Sequence, residues 1–546
     1  MTSERYVNFK ISFQLTCITS VSLFLVACGG SGETNNALIS PTLPTPQVDN
    51  RWVLGVFEDE SLLKDNCEVP RNGIDNITGE AYPDVVGNSI DEMLWLRSWT
   101  NDTYLWFDEV DDNDPVGFSV ADYFDQLKTD FRTDSGTFKD NFHFSQSTAE
   151  YLTRIQGGIT FGYGISWEFL RATAPRRIIV RYTEPGSPAD LAGVTRGDEL
   201  LFINTIDFIN TQDSDDVNAI NAALFPSSTG QSANFTLLKQ NGVQTGYQLS
   251  ARDVALSPVQ NSKVLATDIG QIGYMQFNSH IQSAQRQLIS AITLFSQNKI
   301  QALVIDMRYN GGGLLSMASQ LAFMVTGSSQ TDALTFNQLQ FNRKHLTFNP
   351  ITGERLQATP FYGREIDYNQ GVFTTNALPS LGLSTIYVIS SNATCSASEA
   401  FINGLRGIDV EVVLIGGTTC GKPYGFYPQD NCGTTYFTIQ FQGSNQKGFG
   451  EYANGFIPSP APQFEADVQG CMVEDDFQHS MGNRNEGMLS VAVNHIQTGE
   501  CPVEPAVKRL STQISSEQGL RIRTSSSIID AIILENSINQ VITEPK

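Results

Sequence analysis

The chain has 546 residues, a formal net charge of −24 and hydrophobic residues at 40%. That length exceeds what one core usually organises and implies about three or four domains of ordinary globular material, not a disordered or fibrous chain. So acidic a surface repels polyanions, which excludes nucleic acid as an expected partner, and the lack of a fixed-period repeat excludes solenoids and propellers.

Residues 1–27 read as an export signal. Arg5 and Lys10 precede an apolar stretch from Ile11 to Ala27, and Leu25-Val-Ala-Cys28 is followed by two glycines. The pattern resembles the bacterial lipobox, which implies lipidation at Cys28, a membrane contact through that anchor, and a place in the cell envelope. Because Asp does not follow Cys28, the resemblance favours the outer membrane. A short transmembrane anchor is the alternative, since about 17 residues is the bottom of the spanning range. Residues 28–50, rich in Gly, Ser, Asn and Pro, are expected to be a flexible tether. Beyond Cys28 the cysteines are Cys67, Cys395, Cys420, Cys432, Cys471 and Cys501, an even set suited to an oxidising compartment. The shortest loops pair Cys420 with Cys432 and Cys471 with Cys501.

Residues 51–154 are expected to form a small helical domain. Ile90, Met93, Leu94, Leu96 and Trp99 recur at helical spacing, and Phe118, Val120, Tyr123, Phe124 and Leu127 repeat the pattern. Trp95, Trp99, Tyr104 and Trp106 read as core. Over 155–255 the pattern changes to short β-rich runs at Gly158–Ser166, Arg177–Tyr182 and Glu199–Asn204. The segment Pro185-Gly-Ser-Pro-Ala-Asp-Leu-Ala-Gly-Val-Thr-Arg-Gly-Asp198 before the last of these resembles a PDZ domain. That resemblance implies binding of a peptide as an added strand, its carboxylate held on the loop Phe161-Gly162-Tyr163-Gly164-Ile165. A domain that only packs against its neighbour is the alternative.

From 256 to 500 strands and helices alternate. Strands are expected at Ile272–Phe277, Ala302–Asp306, Thr385–Ser390 and Val410–Ile415, with helices at Ala284–Ser296, Ser316–Val325 and Ser398–Leu405. The βαβ order predicts an α/β core with crossover connections, so the fold class is a multidomain α+β and α/β chain. Residues 501–546 form a polar tail broken by one apolar segment, Ile528–Leu534, that reads as a docking helix.

Two segments carry chemistry, and each follows a buried strand, where α/β sheets place their sites. In Asp306-Met-Arg-Tyr-Asn-Gly-Gly-Gly313, consecutive glycines leave backbone N–H groups available to an anion. No Gly-Lys-Ser/Thr follows, so an oxyanion hole fits better than a phosphate loop. In Ser391-Asn-Ala-Thr-Cys-Ser-Ala-Ser-Glu399 a serine opens a helix, and a serine there is ordinarily an N-cap. A nucleophilic role for Ser396 requires a base within hydrogen-bond reach. None of the five histidines stands in a recognisable triad motif, whereas Lys422 follows the turn Gly416–Gly421 in a segment otherwise free of charge. Burial that favours the neutral amine lets a lysine serve as that base.

These motifs, Asp-Met-Arg-x-Asn-x-Gly-Gly, Ser-Ala-Ser-Glu and Gly-x-x-Thr-x-Gly-Lys in this order behind a PDZ-like segment, resemble the carboxyl-terminal processing, or tail-specific, serine proteases over roughly 155–450. The resemblance implies a peptidase acting on protein or peptide substrates without a cofactor or metal. It implies Ser396 as nucleophile, Lys422 as general base, and Gly312 or Gly313 with Ala397 as oxyanion donors. The family usually carries a glutamine four residues beyond the lysine, where this chain has Phe426. Gln429 is the candidate to fill that role, the alternatives being a dyad or a Cys395–Cys420 disulfide that fixes the geometry.

Asp475, Asp476 and His479 form a further polar cluster that offers a conventional Ser/His/Asp triad with Ser396, or, with no second histidine at ligand spacing, a poor metal site. The rival function is a peptide-binding or scaffolding lipoprotein that keeps the protease fold without activity. A glycan hydrolase would need paired carboxylates in a cleft, and no motif presents them.

Overall fold

The computed structural model describes residues 51–502 apart from 76–78 and 134–135. The expected signal, Cys28, the tether and nearly all of the tail, including the apolar segment near Ile528, lie outside the described residues. Among the described residues no helix is long and apolar enough to cross a membrane.

The molecule is a mixed α/β multidomain chain built around one seven-stranded sheet. Its strands run in the order Val259–Thr267, Gly270–Phe277, Ala302–Asp306, Thr385–Ser390, Glu411–Gly416, Asp467–Met472, Ile457–Ser459, and only the first pair is antiparallel. The strand Ala302–Asp306 is buried at every position, as a central strand covered on both faces must be. Helices Ala284–Gln297, Leu315–Thr326 and Ala397–Gly407 cover one face, and Gly487–Thr498 covers the other with Met488, Leu489, Ala492 and Val493. Each expected core strand and helix therefore forms.

Residues 159–255 fold around a separate core containing Trp167, Val180, Leu200, Phe208, Ile220 and Leu237. The strands Gln244–Ser250, Ser232–Leu238, Glu199–Ile203, Arg177–Thr183 and Ile165–Arg171 lie in that order, so Ile165–Arg171 is an edge strand. The helix Pro188–Ala192 starts on Ser187, whose hydroxyl accepts from Asp190 N, and stops at Gly193 in the left-handed conformation. This is how the Gly-Ser-Pro…Ala-Gly run becomes a short helix between two turns.

The N-terminal region packs Trp95 on Trp99 with ring centres 5.2 Å apart, both fully buried along the helix Ser89–Thr103. It is knitted into the core: strand Phe144–Ser147 pairs with Thr434–Phe437, and a disulfide joins Cys67 to Cys432. Cys471 and Cys501 are joined as expected. The expected Cys420–Cys432 bridge does not form, because Cys420 bonds Cys395 instead. Loop length ranks pairs by closure entropy alone and is blind to a tertiary contact that sets Cys432 against the N-terminal region.

Candidate active site

Strand Thr385–Ser390 delivers the chain into a loop that is tied to the segment after Asp306. Thr394 Oγ1 accepts from Ser391 N and donates to Met307 O, the Ser391 hydroxyl donates to Arg308 O, and Cys395 N and Ser398 Oγ both donate to Asn310 O. These bonds bring the glycine turn against the serine. Ser396 itself has φ 53° and ψ −113°, a sharp bend immediately before the helix Ala397–Gly407. A non-glycine residue held there costs about 1–3 kcal/mol, and such strain is typical of residues a site must aim.

The glycines are required by close approach. A Cβ on Gly312, at φ 109°, would stand 2.8 Å from Cys395 O and 2.9 Å from Ala397 N, and one on Gly313, at φ 132°, would stand 2.7 Å from His280 O. Gly312 N donates to Asn310 Oδ1 at 2.9 Å, which occupies that N–H. Gly313 N and Ala397 N have no acceptor among the described residues. Of the two expected glycine donors, the geometry thus favours Gly313, paired with Ala397 at the helix start.

Lys422 is 2% exposed, and it lines, together with Ser396, a cavity of about 20 Å³ whose walls include Leu315, Ala400, Tyr424, Phe441 and Tyr452. That volume admits about one water molecule. The Lys422 Nζ faces the ring of Phe426, 4.0 Å from its centre, and that of Phe142 at 5.3 Å. The expected helper Gln429 sits on a short strand, where its side-chain oxygen accepts from Lys64 Nζ at 3.4 Å, so its amide serves the N-terminal region.

Glu399 does what the sequence left unassigned. It is fully buried and accepts from Ser396 N at 3.0 Å, Gly421 N and Lys422 N at 2.8 Å each, and the Thr419 hydroxyl at 2.5 Å. One carboxyl group thereby holds the backbone of both proposed catalytic residues. Burial pushes it up to about 7, against the pull of those donors. Its signal was its place three residues after Ser396, the spacing of a helix capping box. Asn310 was also missed. Its Oδ1 takes Gly312 N and its Nδ2 donates to Phe277 O. Beside it His280 is fully buried, and burial lowers it to about 4, so the imidazole is neutral.

The acidic cluster lies elsewhere. His479 Nδ1 bonds Asp476 Oδ2 at 2.6 Å, while Asp475 accepts from Arg196 and Arg308 at 2.6 Å each and from the Tyr309 hydroxyl. None of the three acidic and imidazole groups lines the Ser396 cavity. Two further clusters bring ligand-type atoms within 4.8 Å of one another, Cys471–His495–Cys501 and Cys395–Glu399–Cys420. In both, the cysteines are oxidised to a disulfide and so lack the thiolate that a metal needs.

The loop Phe161–Ile165 lines a second, larger cavity of about 330 Å³. Its walls are the edge strand at Ile165 and Trp167, the end of helix Ser214–Leu224, and from the core Ser279, Tyr309 and Gly311. This groove ends beside the glycine turn.

Part of the core that holds this geometry is similar to known proteins. Residues 268–426, which carry the glycine turn, Ser396 and Lys422, match the model of Peptidase family S41. Over that stretch the chain is similar to the S41 peptidases. A carboxyl-terminal-processing protease of Picosynechococcus sp. is 24% identical over 242 residues, 44% of this chain and 49% of the relative. Carboxyl-terminal-processing peptidase 3, chloroplastic, of Arabidopsis thaliana is 24% identical over 259 residues, 45% of this chain and 42% of that one. The chain thus spans about half the length of the curated relatives it matches. A solved Bacteroides fragilis structure assigned to the S41 proteases shares the fold at 22% identity and a TM-score of 0.56, covering 77% of this chain and 98% of that one.

Proposed function

We propose that this chain is a serine endopeptidase in which Lys422 activates Ser396, and that it acts in the cell envelope, anchored through Cys28. The observation that carries the reading is the shared cavity: a strained serine and a buried lysine line one small space, with Glu399 hydrogen-bonded to the backbone of both. The Lys422 amine takes the Ser396 proton as Oγ bonds the substrate carbonyl carbon. The resulting oxyanion accepts from Gly313 N and Ala397 N. Collapse expels the amine product, which leaves with the proton from Lys422, and a water deprotonated by the same amine then releases the acyl group.

The relatives' names speak of carboxyl-terminal processing, which supports substrates recognised by their C-terminal segments. The edge strand Ile165–Arg171 and the loop Phe161–Ile165 line a groove suited to a peptide added as a strand, as a PDZ domain takes one. Ser396→Ala should abolish cleavage of an unfolded protein and labelling by a fluorophosphonate while leaving the unfolding midpoint within a degree or two. Cleavage by that variant at the wild-type rate would remove the assignment. The inactive-scaffold reading draws on Phe426, which stands where the resembling family usually carries a glutamine. Fluorophosphonate labelling of Ser396 that is lost in Lys422→Ala decides against it.

A further inference from the structure

The Cys395–Cys420 disulfide links the residue immediately before the proposed nucleophile to the residue two before the proposed base. Its two ends belong to different strand–helix units. Cys395 precedes the helix Ala397–Gly407 and donates its N–H to Asn310 O; Cys420 lies in the turn after strand Glu411–Gly416 and donates its N–H to Thr394 O at 3.0 Å. Around the bond, Glu399 receives Ser396 N from one side and Gly421 N and Lys422 N from the other, and its Oε2 lies 3.4 Å from Cys420 Sγ. The hydrogen bonds at this seam can each open thermally, whereas the disulfide opens only by chemistry. Ser396, at φ 53°, is the residue that relaxes if the seam loosens, because its backbone is held against its own preference.

We propose that the Cys395–Cys420 disulfide is a positioning element of the active site, and that its reduction by a dithiol switches the peptidase off while the fold persists. The inference rests on the Ser396/Lys422 reading. Cys395 is 1% exposed and Cys420 only half-buried, so a dithiol thiolate attacks Cys420 Sγ, and Cys395 Sγ leaves as a thiolate. The reagent's second thiol then closes its own ring. In sum two electrons and two protons pass to the protein, giving two thiols, and the dithiol becomes a cyclic disulfide. The site is released from its covalent register, with Ser396 Oγ and Lys422 Nζ free to drift by the ångström that costs about 10²-fold in rate.

A matched control exists in the same chain. Cys471–Cys501 closes a loop of similar length, with a sequence separation of 30 against 25, and lies on the opposite face of the sheet in the core beneath helix Gly487–Thr498. The experiment compares the full oxidised chain with Cys395→Ala/Cys420→Ala and Cys471→Ala/Cys501→Ala, using dye-quenched casein for kcat and KM and thermal unfolding for stability. The expected result is a fall in kcat of about 10²-fold with KM nearly unchanged in the first variant only, although both lose stability. Dithiothreitol should reproduce that loss in the wild type, reversibly on reoxidation, and should leave the residual rate of Cys395→Ala/Cys420→Ala unchanged. Retention of wild-type kcat by Cys395→Ala/Cys420→Ala would overturn the proposal. So would losses in the two double variants that both track their unfolded fractions, since these mark a merely structural role. Wild-type cleavage by Ser396→Ala in the same assay would instead overturn the underlying reading.

Discussion

The Lys422 Nζ packs on the face of the Phe426 ring, 4.0 Å from its centre, in a place where likeness to tail-specific proteases leads one to expect an amide. An aromatic face attracts the ammonium and not the neutral amine, by about 0.5–2 kcal/mol depending on desolvation. The ring therefore holds the lysine in place while opposing the deprotonation that a base requires. Phe426→Leu keeps the apolar volume and removes that attraction. The acid limb of kcat/KM should move to lower pH. A pH–rate profile superimposable on the wild type would show that the ring is only a wall.

Gly312→Ala tests the glycine turn. The added methyl would stand within 2.9 Å of both Cys395 O and Ala397 N, and a φ of 109° is unfavourable for alanine whatever the space. The turn must shift away from Ser396, and the proposed oxyanion donors at Gly313 and Ala397 separate. Loss of one oxyanion donor costs about 10²–10³-fold in kcat. Steady-state kinetics on the folded variant, with circular dichroism to show that it is folded, should find a loss of that size. A loss below tenfold would mean that the oxyanion is held elsewhere.

Much of this site was legible in the sequence because its signals are local. A buried strand followed by consecutive glycines, and a serine with Glu399 at the capping distance, can be read within a few residues of one another. The same holds for Ala302–Asp306, whose unbroken apolar run Ala302–Ile305 marks a central strand. What was illegible depends on contacts between distant segments. Glu399 becomes a clamp only when the turn at Gly421 arrives beside it, and Gln429 turns to Lys64 because the N-terminal region packs across that strand. Cys432 finds Cys67, 365 positions away, for the same reason. Spacing carries no trace of such partners.

Glu184 offers a pH test of the groove. It is 7% exposed, and burial raises its carboxyl to about 7, while its Oε2 accepts from Ser257 N at 2.9 Å and Gln260 Nε2 at 3.3 Å. With the folded value above the unfolded one, the native chain holds a proton that the unfolded chain has released between about pH 4.5 and 7. Stability from this residue is therefore full below that window, falls as pH rises through it, and is level above. Glu184→Gln keeps an acceptor for both donors and never ionises. Its stability relative to wild type should rise with pH across the window, by up to about 3 kcal/mol. Urea unfolding at pH 5 and pH 8 measures the difference, and equal values at the two would refute the burial argument.

Arg196 joins the β-rich region to the core. From the turn before Glu199–Ile203 it donates to Asp475 Oδ1 at 2.6 Å, to the Tyr309 hydroxyl at 2.8 Å, and to the carbonyls of Asp476 and His479 at 3.2 Å. Burial alone would raise the Asp475 carboxyl, but Arg308 and Arg196 outweigh it and hold the group below its usual range. Arg308, itself fully buried, also pairs with Asp306 and Glu486, so Asp475 keeps one cation when Arg196 is removed. Arg196→Ala should therefore destabilise by about 3 kcal/mol, at the lower end for a broken buried pair. The carbonyls of Asp476 and His479 lose their donor at the same time, so the segment 475–479 should detach from the β-rich region first. Limited proteolysis should cut there before global unfolding, and Arg196→Lys, which keeps the charge but not the fork, should fall between. Tyr309 is the residue to watch, since it touches both Arg196 and the groove that ends at Gly311. If its environment, followed by amide hydrogen exchange over 307–313, is unchanged in Arg196→Ala, the two regions are joined at this seam without influence on the glycine turn.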